Sequence, residues 1–274
     1  MNESWFRIGD EYLYFRHNTL RPKRRSLLFV HGLGDSTLSF QDVFRDKRFD
    51  DFNLVVPDLI GYGRSSGAGS LQGYSYDSHV ARLWKLIGET GLSELTVIGH
   101  SMGGDLTTLL CASDTDGIIR KYVSVEGDLT QHDLTISRAA VSADRRGKFR
   151  DWYDGDFRER MVYESLGRNR SGRVYYASLA FCRPEAFLEN ARELVRRNTS
   201  LPGKYKSEIG EIYRSLGLPR VFCYGTESLS PRTLSFLKEN GLDVRAFEGV
   251  GHCPMTDSAA EFYEFLHHFV TGGD

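Results

Sequence analysis

The sequence predicts an α/β fold: a doubly wound, largely parallel sheet interrupted once by a helical insertion. Three observations predict it. Apolar runs without polar alternation end in glycine-rich turns, as strands buried on both faces do. Segments of helical period separate those runs, the alternation expected of an α/β sheet. From Leu129 to Ser207 the rhythm breaks into an Arg-rich stretch with helical pattern and no convincing buried strand. A chain of 274 residues is long for a single core but suits an α/β domain carrying an insertion.

The elements follow in order. "WFRIGDEYLYFRH" alternates on either side of Gly9-Asp10, the pattern of a hairpin. "SLLFVHG" (26 to 32) and "FNLVVPDLIGYGRSS" (52 to 66) each read as a buried strand running into a loop. In "SYDSHVARLWKLIGET" the residues Val80, Leu83, Trp84 and Ile87 share one helical face, and Gly91 closes the helix. "ELTVIGH" is the next buried strand and "MGGDLTTLLCAS" the helix behind it. "KYVSVEGD" and "RVFCYGTES" are two further strands, followed by a helix at 231 to 240, the strand "DVRAFEG" and the helix "DSAAEFYEFLHHFV". Within the insertion, "EAFLENARELVRR" is helical, and arginines from Arg138 to Arg197 alternate with acids. That mixture predicts a solvated face rather than an anion-binding groove.

Composition excludes several function classes. Lys and Arg number 35 against 37 Asp and Glu, a net charge of -2, so nothing attracts the chain to nucleic acid or an anionic membrane. Cys111, Cys182, Cys223 and Cys253 stand far apart without metal-ligand spacing, so neither a disulfide framework nor a zinc site is expected. The segment "MNESWFRIGDEYLYF" has no basic n-region or apolar h-region, and no stretch approaches the ~20 apolar residues of a membrane span. A cytoplasmic, reducing setting is expected.

The chemistry centres on "VIGHSMGGDL". Gly99, Ser101 and Gly103 form G-x-S-x-G between a strand and a helix. A turn that sharp crowds the residues beside the serine and raises its hydroxyl above the sheet edge, next to helix-terminal amides. "FVHGLGDS" places His31-Gly32-Leu33 after an earlier strand, where the Leu33 N–H pairs with that of Met102 as a candidate oxyanion hole. "EGVGHCPMTDSAAEF" puts His252 on the loop before the last helix, and an imidazole suits the base that a serine hydroxyl needs. His17 lies in the hairpin, His79 and His267 on helices, and His132 in the insertion; His100 points into the fold. Asp58, in a Pro-Asp loop, reads as a backbone-ordering residue, and Cys253 as a packing residue.

"HGLGDS", "PDLIGYGRSS", "GHSMGG" and "GVGHCP" occur in an order and at intervals that resemble the α/β-hydrolase family over essentially the whole chain outside the insertion. The resemblance implies an eight-stranded, mostly parallel sheet (1–128 and 208–274), a helical cap (129–207) after the sixth strand, Ser101 as nucleophile and His252 as base, with no metal or organic cofactor. The acid departs from the family's common pattern. Many members carry Asp in a stretch resembling "YGxxD" after the seventh strand, where "YGTESLS" has Ser228, with Glu227 one residue earlier. Other members carry it after the sixth strand, where "VSVEGD" offers Glu126. A carboxylate at either place could accept a hydrogen bond from the far nitrogen of the imidazole. Glu126 is preferred because it sits at a strand terminus, with Glu227 as the alternative and Asp128 third.

The function expected is acyl transfer to water, the hydrolysis of an ester of a small molecule. Trp152, Tyr153, Phe157, Tyr163, Tyr175, Tyr176 and Phe181 in the insertion suggest an apolar or aromatic substrate, and equally suggest packing of the cap on the sheet. The same residues would serve a carbon–carbon bond hydrolase, an acyltransferase, or a ligand receptor with little turnover. Monomer and homodimer remain equally open.

Overall fold

The computed structural model describes residues 1–272. Eight strands form one sheet: β1 (Asn2–Ile8), β2 (Glu11–His17), β3 (Arg25–Val30), β4 (Asn53–Pro57), β5 (Ser93–His100), β6 (Ile119–Val125), β7 (Arg220–Gly225) and β8 (Val244–Phe247). Their spatial order is β1-β2-β4-β3-β5-β6-β7-β8. β1 and β2 are the expected antiparallel hairpin, and β2 also runs antiparallel to β4. Every other neighbouring pair is parallel.

The unalternated apolar runs have a simple cause. Successive side chains of a strand point to opposite faces, and here both faces are covered. In β3, Leu28 and Val30 join a core with α1 (Tyr76–Thr90) and α2 (Met102–Ala112). Leu27 and Phe29 join the opposite core, with Phe262 and Leu266 of the helix Ala259–Thr271. Gly91 closes α1 as expected, left-handed at φ 63°, and at the other end the Ser75 hydroxyl accepts from the Ser78 N–H.

Between β6 and β7 the chain leaves the sheet. It forms α3 (Thr135–Arg145), a π-helical stretch Trp152–Val162, and helices Arg170–Leu179 and Pro184–Arg197 before Glu208–Ser215 returns it to β7. Trp152 and Phe157, five residues apart, stack at 5.0 Å and 10°, which matches the i→i+5 repeat of a π-helix. Several arginines of this region clamp it to the sheet domain. Arg170 pairs with Asp42 (Nη2 to Oδ1, 2.9 Å), and buried Arg197 with Asp77 and Glu208, both at 2.8 Å. Arg192 and Arg196 pair with acids on the surface, as the interleaved charges predict. No helix among the described residues is long and apolar enough to cross a membrane.

Candidate active site

The C-terminal ends of the parallel strands converge on a cavity of about 360 Å³ lined by Leu33, Ser101, Glu126, Ser228 and His252, among others. Loops after β3, β5, β6, β7 and β8 supply these residues, which the topology brings to one edge.

Ser101 sits between β5 and α2 at φ 52° and ψ -125°, a conformation costing about 1–3 kcal/mol that surrounding packing must hold. Close approach explains the flanking glycines. A Cβ on Gly103 would lie 2.6 Å from the His31 carbonyl oxygen and nearer still to that of Val30, and one on Gly99 would lie 2.6 Å from the Gly103 carbonyl carbon. Gly32 faces the serine directly, since a Cβ there would stand 3.0 Å from Ser101 Cβ. The serine hydroxyl makes no hydrogen bond among the described residues.

The N–H groups of Leu33 and Met102 likewise donate to no acceptor among the described residues, as amides reserved for a ligand oxygen would. Their loop is held from several sides. His31 is buried; its Nε2 accepts from the Leu59 N–H at 3.0 Å and its Nδ1 donates to the Gly32 carbonyl at 2.9 Å, which defines its tautomer. Tyr175 donates to the Leu33 carbonyl at 2.8 Å. Asp35 accepts from the Ser36 N–H at 2.8 Å and from the Ser39 and Ser178 hydroxyls. Asp58 orders the next loop through the N–H groups of Thr37 (2.6 Å) and Arg64 (2.8 Å).

The structure brings His252 and Glu126 together and leaves Glu227 apart. His252 Nδ1 donates to Glu126 Oε2 at 2.9 Å. Oε1 of the same carboxylate accepts from the Gly225 N–H at 2.8 Å and the Ser228 hydroxyl at 2.6 Å. Glu126 is buried, whereas half of the His252 side chain is open. Like Ser101, Glu126 holds a positive φ, 51°. Surrounding protein acts to lower the His252 pKa, but the hydrogen bond and charge of Glu126, with help from Asp133 and Asp35, lift it above its ordinary value. Glu227 is exposed.

Three supporting residues escaped the sequence reading. Ser228 was visible only as the place where an acid was missing, and it donates to the acid that stands elsewhere. Gly225 supplies the second donor and, lacking a Cβ, lets the His252 loop pack on it: a Cβ there would lie 2.7 Å from the Val250 carbonyl carbon. His100 does point inward, and its Nε2 bonds the His252 carbonyl at 3.0 Å, fixing that loop from beneath. Cys253 lines the cavity 3.8 Å from His100 Nε2.

Of the two readings of the insertion's aromatic residues, packing holds for most of them. Of the seven aromatic residues of the insertion named above, Tyr175 alone lines the cavity. Trp152, Tyr153 and Phe157 pack with Phe187 in an aromatic core of the insertion, Tyr163 and Phe181 are exposed, and Tyr176 bonds Glu159. The insertion lines the cavity chiefly with polar side chains such as Ser137, Ser165, Asn169 and Ser171. Composition named the residue types; their direction decided the lining. No grouping of three or more His, Cys, Asp or Glu side chains able to hold a metal occurs among the described residues.

Comparison with known proteins agrees with this architecture. Residues 25–209 match the model of the alpha/beta hydrolase fold. Lipase 1 of Psychrobacter immobilis is 23% identical over 271 residues, spanning 92% of this chain and 78% of the lipase. Among solved structures, the N-acyl homoserine lactonase AidH superposes with a TM-score of 0.76 at 18% identity, covering 100% of this chain and 98% of the lactonase. An esterase from Exiguobacterium antarcticum gives 0.72 at 14% identity, covering 98% and 99%. The chain belongs to the α/β-hydrolase family, and it is a hydrolase of that fold.

Proposed function

We propose that the protein hydrolyses carboxylic esters of small molecules by two-step acyl transfer through Ser101, His252 and Glu126. The observation that carries the reading is the 2.9 Å hydrogen bond from His252 Nδ1 to Glu126, with the imidazole open to the cavity that Ser101 also lines. In the first step the Ser101 oxygen bonds the ester carbonyl carbon while His252 Nε2 takes the hydroxyl proton. The carbonyl oxygen, now anionic, accepts from the N–H groups of Leu33 and Met102. Collapse breaks the bond to the alcohol, which leaves with the proton from His252. Water then gives its proton to His252, adds to the acyl carbon, and releases the acid and the free serine. Glu126 holds the imidazole in the tautomer that leaves Nε2 free to accept and stabilises the imidazolium. The helices between β6 and β7 act as a cap over this site.

The test compares wild type with Ser101→Ala on p-nitrophenyl acetate and butyrate, with fluorophosphonate labelling of both. The expected result is turnover and labelling in wild type only. Equal turnover in the folded variant would refute the mechanism.

A further inference from the structure

The cavity has an acidic lining. Asp35, Glu126, Asp128 and Asp133 line it, and no Lys or Arg does so among the described residues. The other three acids are already engaged: Glu126 by His252, Gly225 and Ser228, Asp35 by three donors around it, and Asp133 by Leu129, Thr130 and Thr233. Asp128 differs. The residue is only 6% exposed, yet its carboxyl group makes no hydrogen bond among the described residues. Its backbone N–H is tied to Asp105 Oδ1 at 3.1 Å, so the chain holds it in place beside other acids rather than beside a donor.

The Asp128 oxygens find no protein donor among the described residues and open only to the cavity, so what repays their desolvation is whatever enters that cavity. Burial first, then the charges of Asp105, Asp133 and Glu126, raise the Asp128 pKa well above the carboxylate range. A ligand bringing a positive charge and an N–H would remove both penalties, whereas an anionic ligand would deepen them. Hydroxyl and amide groups of the insertion occupy part of the facing wall.

Resting on the ester-hydrolase reading above, we propose that Asp128 is a specificity-determining residue that receives a protonated amine of the substrate. The preferred substrates are therefore small esters carrying an ammonium group near the scissile bond. An ammonium N–H donates to the Asp128 carboxylate, and any proton the free carboxyl group carries leaves to solvent on binding.

The test uses two esters of the same shape, 2-(dimethylamino)ethyl butyrate, protonated at neutral pH, and uncharged 3-methylbutyl butyrate, with acid release followed by pH-stat. Wild type is expected to favour the ammonium ester by about tenfold or more in kcat/KM, the scale of one added polar contact in a buried site. Asp128→Asn is expected to bring the ratio to near one, chiefly through KM. Competitive inhibition of wild type by 2-(dimethylamino)ethanol against 3-methylbutanol gives the same comparison should that variant fail to fold. A wild-type ratio near one, or a ratio that survives in folded Asp128→Asn, overturns the proposal. Failure of both esters to turn over would strike the hydrolase reading instead; titration of both esters into Ser101→Ala protein then decides Asp128 separately, with tighter binding of the ammonium ester supporting it and equal binding overturning it.

Discussion

Replacing Glu126 by Gln changes one atom and, through the hydrogen bonds around it, reverses the tautomer of His252. The two carboxylate oxygens are not equivalent: Oε1 faces two donors, the Gly225 N–H and the Ser228 hydroxyl, while Oε2 faces only His252. A glutamine has one acceptor oxygen and one donor NH2 group. Turning its NH2 toward Gly225 would set two N–H groups against each other in a buried site, costing about 1–3 kcal/mol for the unmet donor. The amide oxygen therefore takes the Oε1 place, and the NH2 group points at His252 Nδ1. That nitrogen must then accept, so the imidazole proton moves to Nε2, where it cannot take the serine proton. The expected loss is about 10³–10⁴-fold in kcat, or about 4–5.5 kcal/mol of transition-state stabilisation. Stopped-flow or steady-state release of p-nitrophenol from the butyrate ester measures it, with circular dichroism confirming the fold. Exposed Glu227→Gln serves as the control and should stay within about threefold. A folded Glu126→Gln enzyme retaining more than about a tenth of wild-type kcat, or a comparable collapse in Glu227→Gln, would refute the assignment.

Because the base must be neutral, and Glu126 lifts the His252 pKa, kcat/KM should rise with pH through a midpoint above 6.5; a limb centred below 6.5 would contradict the ion pair. The same raised pKa means that the pair's contribution to stability is complete below the unfolded value and fades as pH rises through the folded one. Gly103→Ala drives a Cβ into the backbone carbonyls of Val30 and His31 and should cost about 1–3 kcal/mol, lowering Tm by about 2–5 °C. Gly88→Ala, on α1 with nothing within 4 Å, should instead stabilise by about 0.5–1 kcal/mol. Calorimetry distinguishes the two, and equal Tm shifts would show that close approach is not what requires Gly103. Asp58→Ala strips the acceptor from two backbone N–H groups and should destabilise by about 2–4 kcal/mol in urea unfolding; loss of turnover without loss of stability would assign Asp58 a chemical role instead.

Much of the fold was legible because period and burial are local signals. The hairpin alternates, the parallel strands are apolar on both faces, and Gly91 closes α1 as its type predicts. The elements placing Ser101, Leu33, Met102 and His252 were legible for the same reason: each lies at the end of a recognisable strand or the start of a helix. What sequence left between Glu126 and Glu227 was side-chain direction, which depends on a partner more than 100 positions away in the chain. The aromatic residues of the insertion left packing and cavity lining open on the same ground, since Phe157 and Tyr175 look alike in sequence although one fills a core and the other faces the cavity. The entry of the 3-10 helix Thr37–Arg45 is set from elsewhere in the chain, by Asp58, which accepts from the Thr37 N–H.

The position of the acid follows from sheet geometry. β6 and β7 are adjacent and parallel, with Val125 beside Cys223, so their C-terminal ends meet at the same edge about 4.8 Å apart. A carboxylate leaving either end lies within one side-chain length of the other. Glu126 bridges that gap: its backbone N–H bonds the Cys223 carbonyl at 2.9 Å, and its Oε1 accepts from Gly225 and Ser228, both beyond it on the β7 side. Ser228 thus converts the site of a missing acid into a donor for the acid one strand away. An Asp at 228 would place a second carboxylate against Glu126, where the two charges would repel and one would take up a proton. The pairing of Glu126 with a hydroxyl at 228 is therefore a coupled choice: Ser228→Asp should impair turnover in the wild-type background, and Glu126→Gln combined with Ser228→Asp should recover part of what Glu126→Gln loses. Recovery absent from a folded double variant would show that the two strand ends are not interchangeable supports for His252.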